Sequence, residues 1–279
     1  MRYWEVRPAT PLGRFVECFW FVSGSGRGAE VQTIVPDGCP ELIVHSGDPF
    51  ERFVGERPER QPTAFVVGEL TSALRVRPSA RISTMGIRFR PTGLRALVEV
   101  PQQELTDRTT PIADLWGGPA RELEARVHEA ATDAQRASVA EEFLFDRLAA
   151  GPGPDPRIEA AVGRLLSEGG QTRLAALAAT AGLSPRQLER RFKSVVGLGP
   201  KALARLVRFQ EVYRRLGDDL ASDWASIALD CGYFDQAHLL RDFRDLAGAP
   251  PSRLLGSEGA LAREFVDPSR LARFFAPTG

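Results

Sequence analysis

Apolar and polar positions fall in short runs over the first third of the chain and recur every three to four residues after it, so the sequence has two parts of different period. Between residues 10 and 90, runs rich in β-branched and aromatic residues are bounded by Gly and Pro: Phe15 to Val22, Val31 to Val35, Glu41 to His45, Ala64 to Val67, Leu74 to Arg77 and Met85 to Phe89. Each is long enough for a strand and too short for a stable helix. Turns such as Pro36-Asp37-Gly38 and Ser46-Gly47-Asp48-Pro49 separate them, which predicts a compact antiparallel sandwich or barrel. From Thr92 the period becomes helical through Leu94, Leu97, Val98, Leu115, Trp116, Leu123 and Val127, and Val139, Phe143, Leu144 and Leu148 share one stripe. Such a stripe packs on the β-domain or serves a dimer interface.

Gly151-Pro152-Gly153-Pro154-Asp155-Pro156 forbids regular structure and marks a linker. Beyond it every segment reads as helical: a face through Ile158, Val162 and Leu165, then Leu174 to Ala181, Pro185 to Val196, Pro200 to Leu216, Ser222 to Asp230 and Asp235 to Leu246. The expected fold is α+β. A β-rich sensing or dimerisation domain with C-terminal helices spans 1–150, a linker 151–156, an all-α domain of two helix-turn-helix motifs joined by a linker helix 157–257, and a tail 258–279.

The helical domain repeats itself. Ser184, Leu188, Phe192, Gly197 and Pro200 recur 51 residues later as Asp235, Leu239, Phe243, Gly248 and Pro251, whereas Ala178 and Gly182 recur as Ala228 and Gly232 at an offset of 50. The second turn has therefore gained one residue. Each copy reads as a helix, a tight turn and a second helix. Ala leaves room where the helices cross, Gly takes the turn, Ser or Asp caps the second helix, and Leu and Phe four apart face inward. The outward faces carry Arg186, Gln187, Glu189, Arg190 and Lys193 in the first copy and Gln236, Ala237, Leu240, Arg241 and Arg244 in the second. Such a second helix enters the DNA major groove, where Arg pairs with guanine, Gln with adenine, and Glu accepts from cytosine. Lys201 and Arg205, on the connecting helix, are candidates for the DNA backbone. That connector has 17 residues, about 25 Å of helix, a scale suited to placing two recognition helices in successive major-groove segments.

Here the chain resembles a known family. LAATAGLSPRQLERRFKSVVGLGPKALARLVRFQ and IALDCGYFDQAHLLRDFRDLAGAPPSRL are similar to the two helix-turn-helix motifs and linker helix of the AraC/XylS transcription regulators. Cys231-Gly232-Tyr233, Asp235-Gln236, His238, Arg241, Phe243, Gly248 and Pro251 sit at the family's signature spacing. The resemblance implies a bacterial, sequence-specific regulator, usually an activator, binding double-stranded promoter DNA in the cytoplasm and acting beside RNA polymerase. The stretch PDGCPELIVH with GIRFRPTG resembles the N-terminal domain of a subset of these regulators, for which no ligand carries over.

Composition adjusts this picture at three points. The chain has 279 residues with 36 basic and 36 acidic side chains, a formal net charge of zero that argues against a uniformly basic nucleic-acid binder. The zero is a sum of unlike parts. Arg173 to Arg215 carries ten basic and two acidic residues, a net of +8, whereas Asp218 to Asp245 carries seven acidic and two basic, a net of −5. An asymmetric grip on DNA, anchored on the first motif, is the expectation. Only Lys193 and Lys201 are lysines, so arginine abundance by itself is no measure of phosphate recognition.

The three cysteines, Cys18, Cys39 and Cys231, form no CxxC pair, which excludes a disulfide framework and the four-cysteine zinc site of repair enzymes fused to this DNA-binding type. With no nucleophile elbow and only His45, His128 and His238, no catalytic residue is assigned and no cofactor is expected. No targeting or membrane segment is read. In the β-domain, Asp37, Cys39, Glu41 and His45 share one face of a regular strand, but Pro40 interrupts it and no metal is assigned. A small effector is the expected ligand there, in a pocket formed by Trp20, Cys39, Glu41, His45 and Phe89, with Trp4, Phe19 and Phe65 as further candidates. The alternatives are a helical-hairpin adaptor without DNA, or an enzymatic domain fused to a DNA-binding module. A homodimer remains open.

Overall fold

The computed structural model describes residues 2–8, 11–26, 30–216 and 224–250. The β-domain consists of two antiparallel sheets. The larger has six strands in the order β1 (Arg2–Val6), β2 (Val16–Ser25), β9 (Arg81–Phe89), β4 (Glu41–His45), β7 (Ala64–Val67) and β10 (Thr109–Pro111). The smaller runs β3 (Gln32–Ile34), β8 (Leu74–Arg77), β5 (Glu51–Val54) and β6 (Arg57–Arg60). Long β2 and β9 form the spine, with Phe19 opposite Ile87, Trp20 opposite Gly86 and Phe21 opposite Met85. Gly86 is required by that register. A Cβ there would lie 1.9 Å from the Trp20 ring, so the missing side chain lets the indole lie flat across the neighbouring strand.

One face of the large sheet is closed by helices α1 (Ile112–Trp116), α2 (Gly118–Glu129) and α3 (Asp133–Ala150). Leu123, Val127, Ala140, Phe143 and Leu144 join Phe19, Phe21, Leu42, Ile87 and Phe89 in a single buried cluster, and Trp116 meets Phe143 edge-on at 5.3 Å. The stripe on 139–148 is thus spent on its own domain. Thr132 starts α3 with a reciprocal capping box to Gln135.

The helical part contains α4 (Pro156–Ser167), α5 (Leu174–Ala181), α6 (Pro185–Val196), α7 (Pro200–Leu216), α8 (Trp224–Asp230) and α9 (Gln236–Ala247). Of the expected helices, the start of 222–230 and the segment from residue 251 onward, including Pro251 and the tail, lie outside the described residues. Helix α7 is the hub of a second core: Leu203, Leu206, Val207, Phe209 and Val212 are buried with Leu188 and Phe192 of α6 and Leu239 and Phe243 of α9. A helix buried on so much of its circumference is an internal strut rather than a surface element.

The two parts touch. Val35 of the β-domain is buried in the helical core, the Gln210 side chain donates to the Pro36 carbonyl, and the Thr106 hydroxyl donates to the Gly197 carbonyl at 3.0 Å. Arg14 reaches Glu159 at 2.6 Å.

Candidate nucleic-acid interface and a cavity in the β-domain

The two helical hairpins are built from the same local bonds. In the first, Ala178 is buried, Gly182 takes a left-handed conformation (φ 61°), and the Leu183 amide reaches back to the Ala178 carbonyl at 3.0 Å. In the second, Ala228 is buried, Gly232 has φ 76°, and the Tyr233 amide reaches the Ala228 carbonyl at 2.9 Å. The extra residue of the second turn is Phe234, which is 85% exposed, so the insertion bulges outward and leaves the motif intact. Ser184 then caps α6 through a reciprocal box with Gln187, and Pro185 occupies the first turn. Asp235 caps α9 by accepting from the His238 amide at 2.7 Å.

Capping and core fix which face of each helix is free. Leu188 and Phe192, and Leu239 and Phe243, are fully buried, so Arg186, Glu189, Arg190 and Lys193 stand out from α6, and Gln236, Ala237, Arg241 and Arg244 from α9. Among the described residues, Arg186, Arg190, Lys193, Lys201, Arg241 and Arg244 enter no ion pair. Three candidates depart from expectation. Gln187 is exposed, but its side-chain oxygen accepts from the Ser184 amide at 3.0 Å, so capping occupies it. Leu240 is half-buried against the helical core. Arg205 is bound to Asp242 at 2.7 Å and Asp245 at 2.5 Å, so it braces α7 on α9 and is not free for the DNA backbone.

The internal pairing also changes the charge picture. Arg215 bridges Glu211 and Asp230, Arg214 pairs with Glu211, and Arg191 with Asp155. Part of the +8 on the first motif and linker helix is therefore used to neutralise the second. Asp218, Asp219 and Asp223 lie outside the described residues.

A groove beside α6 is lined by Gln187, Arg190, Arg191 and Ser194, with Arg157 of α4 and Gln103 of the β-domain. Gln103 belongs to the short turn 102–104, whose neighbour Thr106 holds the Gly197 carbonyl at the end of α6. Gly197 is tightly enclosed: a Cβ there would be 2.9 Å from the Thr106 hydroxyl, and its φ of 93° suits glycine. The β-domain thus abuts α6 at its C-terminal end.

The β-domain contains a cavity lined by both sheets, with Trp20, Ile34, Val35, Ile43, Phe50, Val67, Leu70, Leu74 and Val76 as apolar wall and Asp37, Cys39, Glu41, His45, Gln61, Thr84 and Arg88 as polar groups. Trp20, Cys39, Glu41 and His45 line it as expected, whereas Phe89 does not. Phe89 follows Arg88 on β9 and so points to the opposite face, into the core under α2 and α3, where it is fully buried. Trp4 also packs on that core, Phe19 and Phe65 are fully buried, and none of the three lines the cavity. Arg88 is the residue that sequence reasoning missed. It is buried, donating to Glu41 at 2.9 Å and pairing with Asp37 at 3.1 Å, and the Trp20 indole also donates to Glu41 at 3.2 Å. His45 is buried between Thr84 (2.9 Å) and Gln61 (3.1 Å), and burial lowers its pKa to about 4, so the ring is neutral. Among the described residues no group of His, Cys, Asp and Glu is placed to hold a metal.

Tandem capped hairpins with free basic faces on a buried strut define a DNA-binding transcriptional regulator. Residues 177–257 match a family model described as a helix-turn-helix domain, and they are of the AraC/XylS type; residues 4–111 match a model described as a domain of unknown function. A probable AraC family transcriptional regulator from Rhodopseudomonas palustris is 27% identical over 37% of this chain and 96% of its own, with a TM-score of 0.33. An AraC-type regulator from Chromobacterium violaceum is 22% identical over 44% of this chain and 96% of its own, with a TM-score of 0.32. ToxT from Vibrio cholerae, solved also with an unsaturated fatty acid bound, is 10% identical in that form over 87% of this chain and 97% of its own, with a TM-score of 0.43. Comparison with curated proteins gives no significant match. Among the described residues no helix is long and apolar enough to cross a membrane.

Proposed function

We propose that this chain is a sequence-specific regulator, working as an activator, that reads two adjacent major-groove segments with α6 and α9 and is modulated by a small molecule in the cavity of the β-domain. The observation that carries the DNA reading is the repetition of one turn-and-cap geometry at two places whose exposed faces differ. Two copies with the same core and unlike faces are suited to reading two unlike half-sites. Arg186, Glu189 and Arg190 are assigned to the first half-site and Gln236, Ala237 and Arg241 to the second. Lys193, Lys201 and Arg244 are assigned to phosphates.

Support for modulation comes from the segment 35–39. Asp37 and Cys39 face the cavity, Val35 touches both the cavity and the helical core, and the Pro36 carbonyl is held by Gln210 of α7. An occupant that moves Asp37 or Cys39 shifts the seat of the strut carrying both recognition helices. Such coupling needs only that the ligand favour one seating over the other.

Selection of bound sites from a random duplex pool by the full chain tests the DNA reading. The expected result is a motif of two boxes about one helical turn apart; enrichment of no motif overturns it, and the symmetry of the motif reports whether a homodimer binds.

A further inference from the structure

The lining of the cavity between the sheets has more carboxyl groups than cations. Two lining carboxyl groups, Asp37 and Glu41, share one lining guanidinium, Arg88, and Glu17 and Glu69 are close by without lining the cavity. Arg90 is engaged with Glu17 at 3.3 Å, and Arg88 is shared between Asp37 and Glu41. Glu69 precedes the lining residue Leu70, is 2% exposed, and neither of its oxygens has a hydrogen-bond partner among the described residues. A buried carboxyl without a partner is costly and is retained where something else supplies the missing charge or proton. We propose that the cavity binds a small amphipathic organic cation, an aryl- or alkylammonium, with its apolar body between the sheets and its ammonium against the carboxylates of Asp37 and Glu41. This rests on reading the β-domain as the effector domain and adds the chemical class of the effector.

Three observations favour a cation over other ligands. An anionic ligand finds one lining guanidinium, Arg88, and that one is already shared by two carboxylates. A neutral ligand supplies no counter-charge: burial, with Asp37 adding to it, holds the Glu69 carboxyl well above the usual carboxylate range, and burial raises Glu41 even beside Arg88, so both favour the protonated form until a cation is supplied. An ammonium supplies the missing positive charge, and the Trp20 indole, which lines the same cavity, donates to Glu41 and keeps that carboxyl in place. His45 does not compete, since burial keeps its ring neutral.

The test is isothermal titration of the full chain with three probes of matched shape: phenethylamine, 3-phenylpropanoate and 3-phenylpropanol. Phenethylamine is expected to bind saturably at one site, at least about tenfold more tightly than the other two, and Glu41→Gln to remove about that factor while leaving the alcohol unchanged. Should Glu41→Gln unfold the domain, as seen by circular dichroism, Asp37→Asn provides the second measurement and weakens the amine in the same direction. The proposal is overturned if the carboxylate or the alcohol binds as tightly as the amine, if amine binding is unaltered in a folded variant, or if no saturable binding occurs up to on the order of 10 mM. Site selection on the same preparation separates the two readings: a chain that selects its DNA motif but ignores the amine refutes only the ligand class.

Discussion

At the scale of the residue, the β-domain is decided by a few side chains whose neighbours leave no alternative. Gly86 is the clearest. Its missing Cβ would stand 1.9 Å from a fixed indole that is itself bonded to Glu41, so Gly86→Ala must displace Trp20 and with it the cavity wall. The expected loss is on the order of 1–3 kcal/mol, the usual cost of overpacking, visible as a lower midpoint in urea and an altered tryptophan emission; an unchanged midpoint would show that the strand spine yields more easily than its register suggests. His45 gives a second, pH-dependent handle. Its ring is neutral in the fold with a pKa near 4, against about 6.5 when unfolded, so the unfolded chain binds the extra proton first as pH falls. The contribution, of about 3 kcal/mol, is fully present above pH 6.5 and is lost between about 6.5 and 4. Glu41 and Glu69 act with the opposite sign, because their folded pKa values are raised and they lose stability as pH rises. The wild-type chain must therefore be compared with His45→Asn: its stability advantage should shrink across that window by about 3 kcal/mol, and a constant difference from pH 7 to 4 would contradict a buried neutral ring.

At the scale of the element, what was legible in the sequence follows from local punctuation. β4, β7, β8, α5, α6 and α7 have the bounds that the pattern predicts, because Gly, Pro and capping residues fence them and one face of each is apolar. β6 (Arg57–Arg60) is exposed at every position and lies at the edge of the smaller sheet, so it has no apolar period to read. β1, β5 and β10 are short or only half-buried and escape for the same reason. The pocket was legible only in part. Asp37, Cys39, Glu41 and His45 follow from parity along one segment, but choosing Arg88 over Phe89 needs the cross-strand register, in which Glu41 pairs with Arg88 across 47 residues of chain, and local pattern does not hold that information. Nor could it show that 35–39 seats on α7. That seat makes a prediction of its own. Gln210→Ala removes a buried donor from the Pro36 carbonyl, and amide hydrogen exchange is expected to rise in residues 33–40 and in α7 together. Faster exchange confined to α7 would mean that the loop is held by the sheet and transmits nothing.

At the scale of the whole molecule, a formal charge of zero is compatible with DNA binding because the charges are sorted, and the structure shows how. Arg205, Arg214 and Arg215 of α7 are paired with Asp242, Asp245, Glu211 and Asp230, while Arg186, Arg190 and Lys193 of α6 enter no ion pair among the described residues. Base contacts and phosphate contacts should separate cleanly on that arrangement. Arg186→Ala and Arg190→Ala are each expected to cost about 1–3 kcal/mol and to relax base preference at one position, whereas Lys201→Ala weakens all sequences alike and lowers the salt slope by about one. The sorting also predicts an unequal footprint. The second motif offers Arg241 and Arg244 on its face, but Asp245 stands 63% exposed on the same helix, held by Arg205. Removing that charge with Asp245→Asn reduces repulsion of the phosphates at the second half-site and returns part of Arg205 to them, so affinity should rise a few-fold and steepen its dependence on salt. In hydroxyl-radical footprints the wild type is expected to protect the first half-site more strongly than the second, and the variant to narrow the gap; equal protection in the wild type would show that α6 and α9 grip alike in spite of the charges around them.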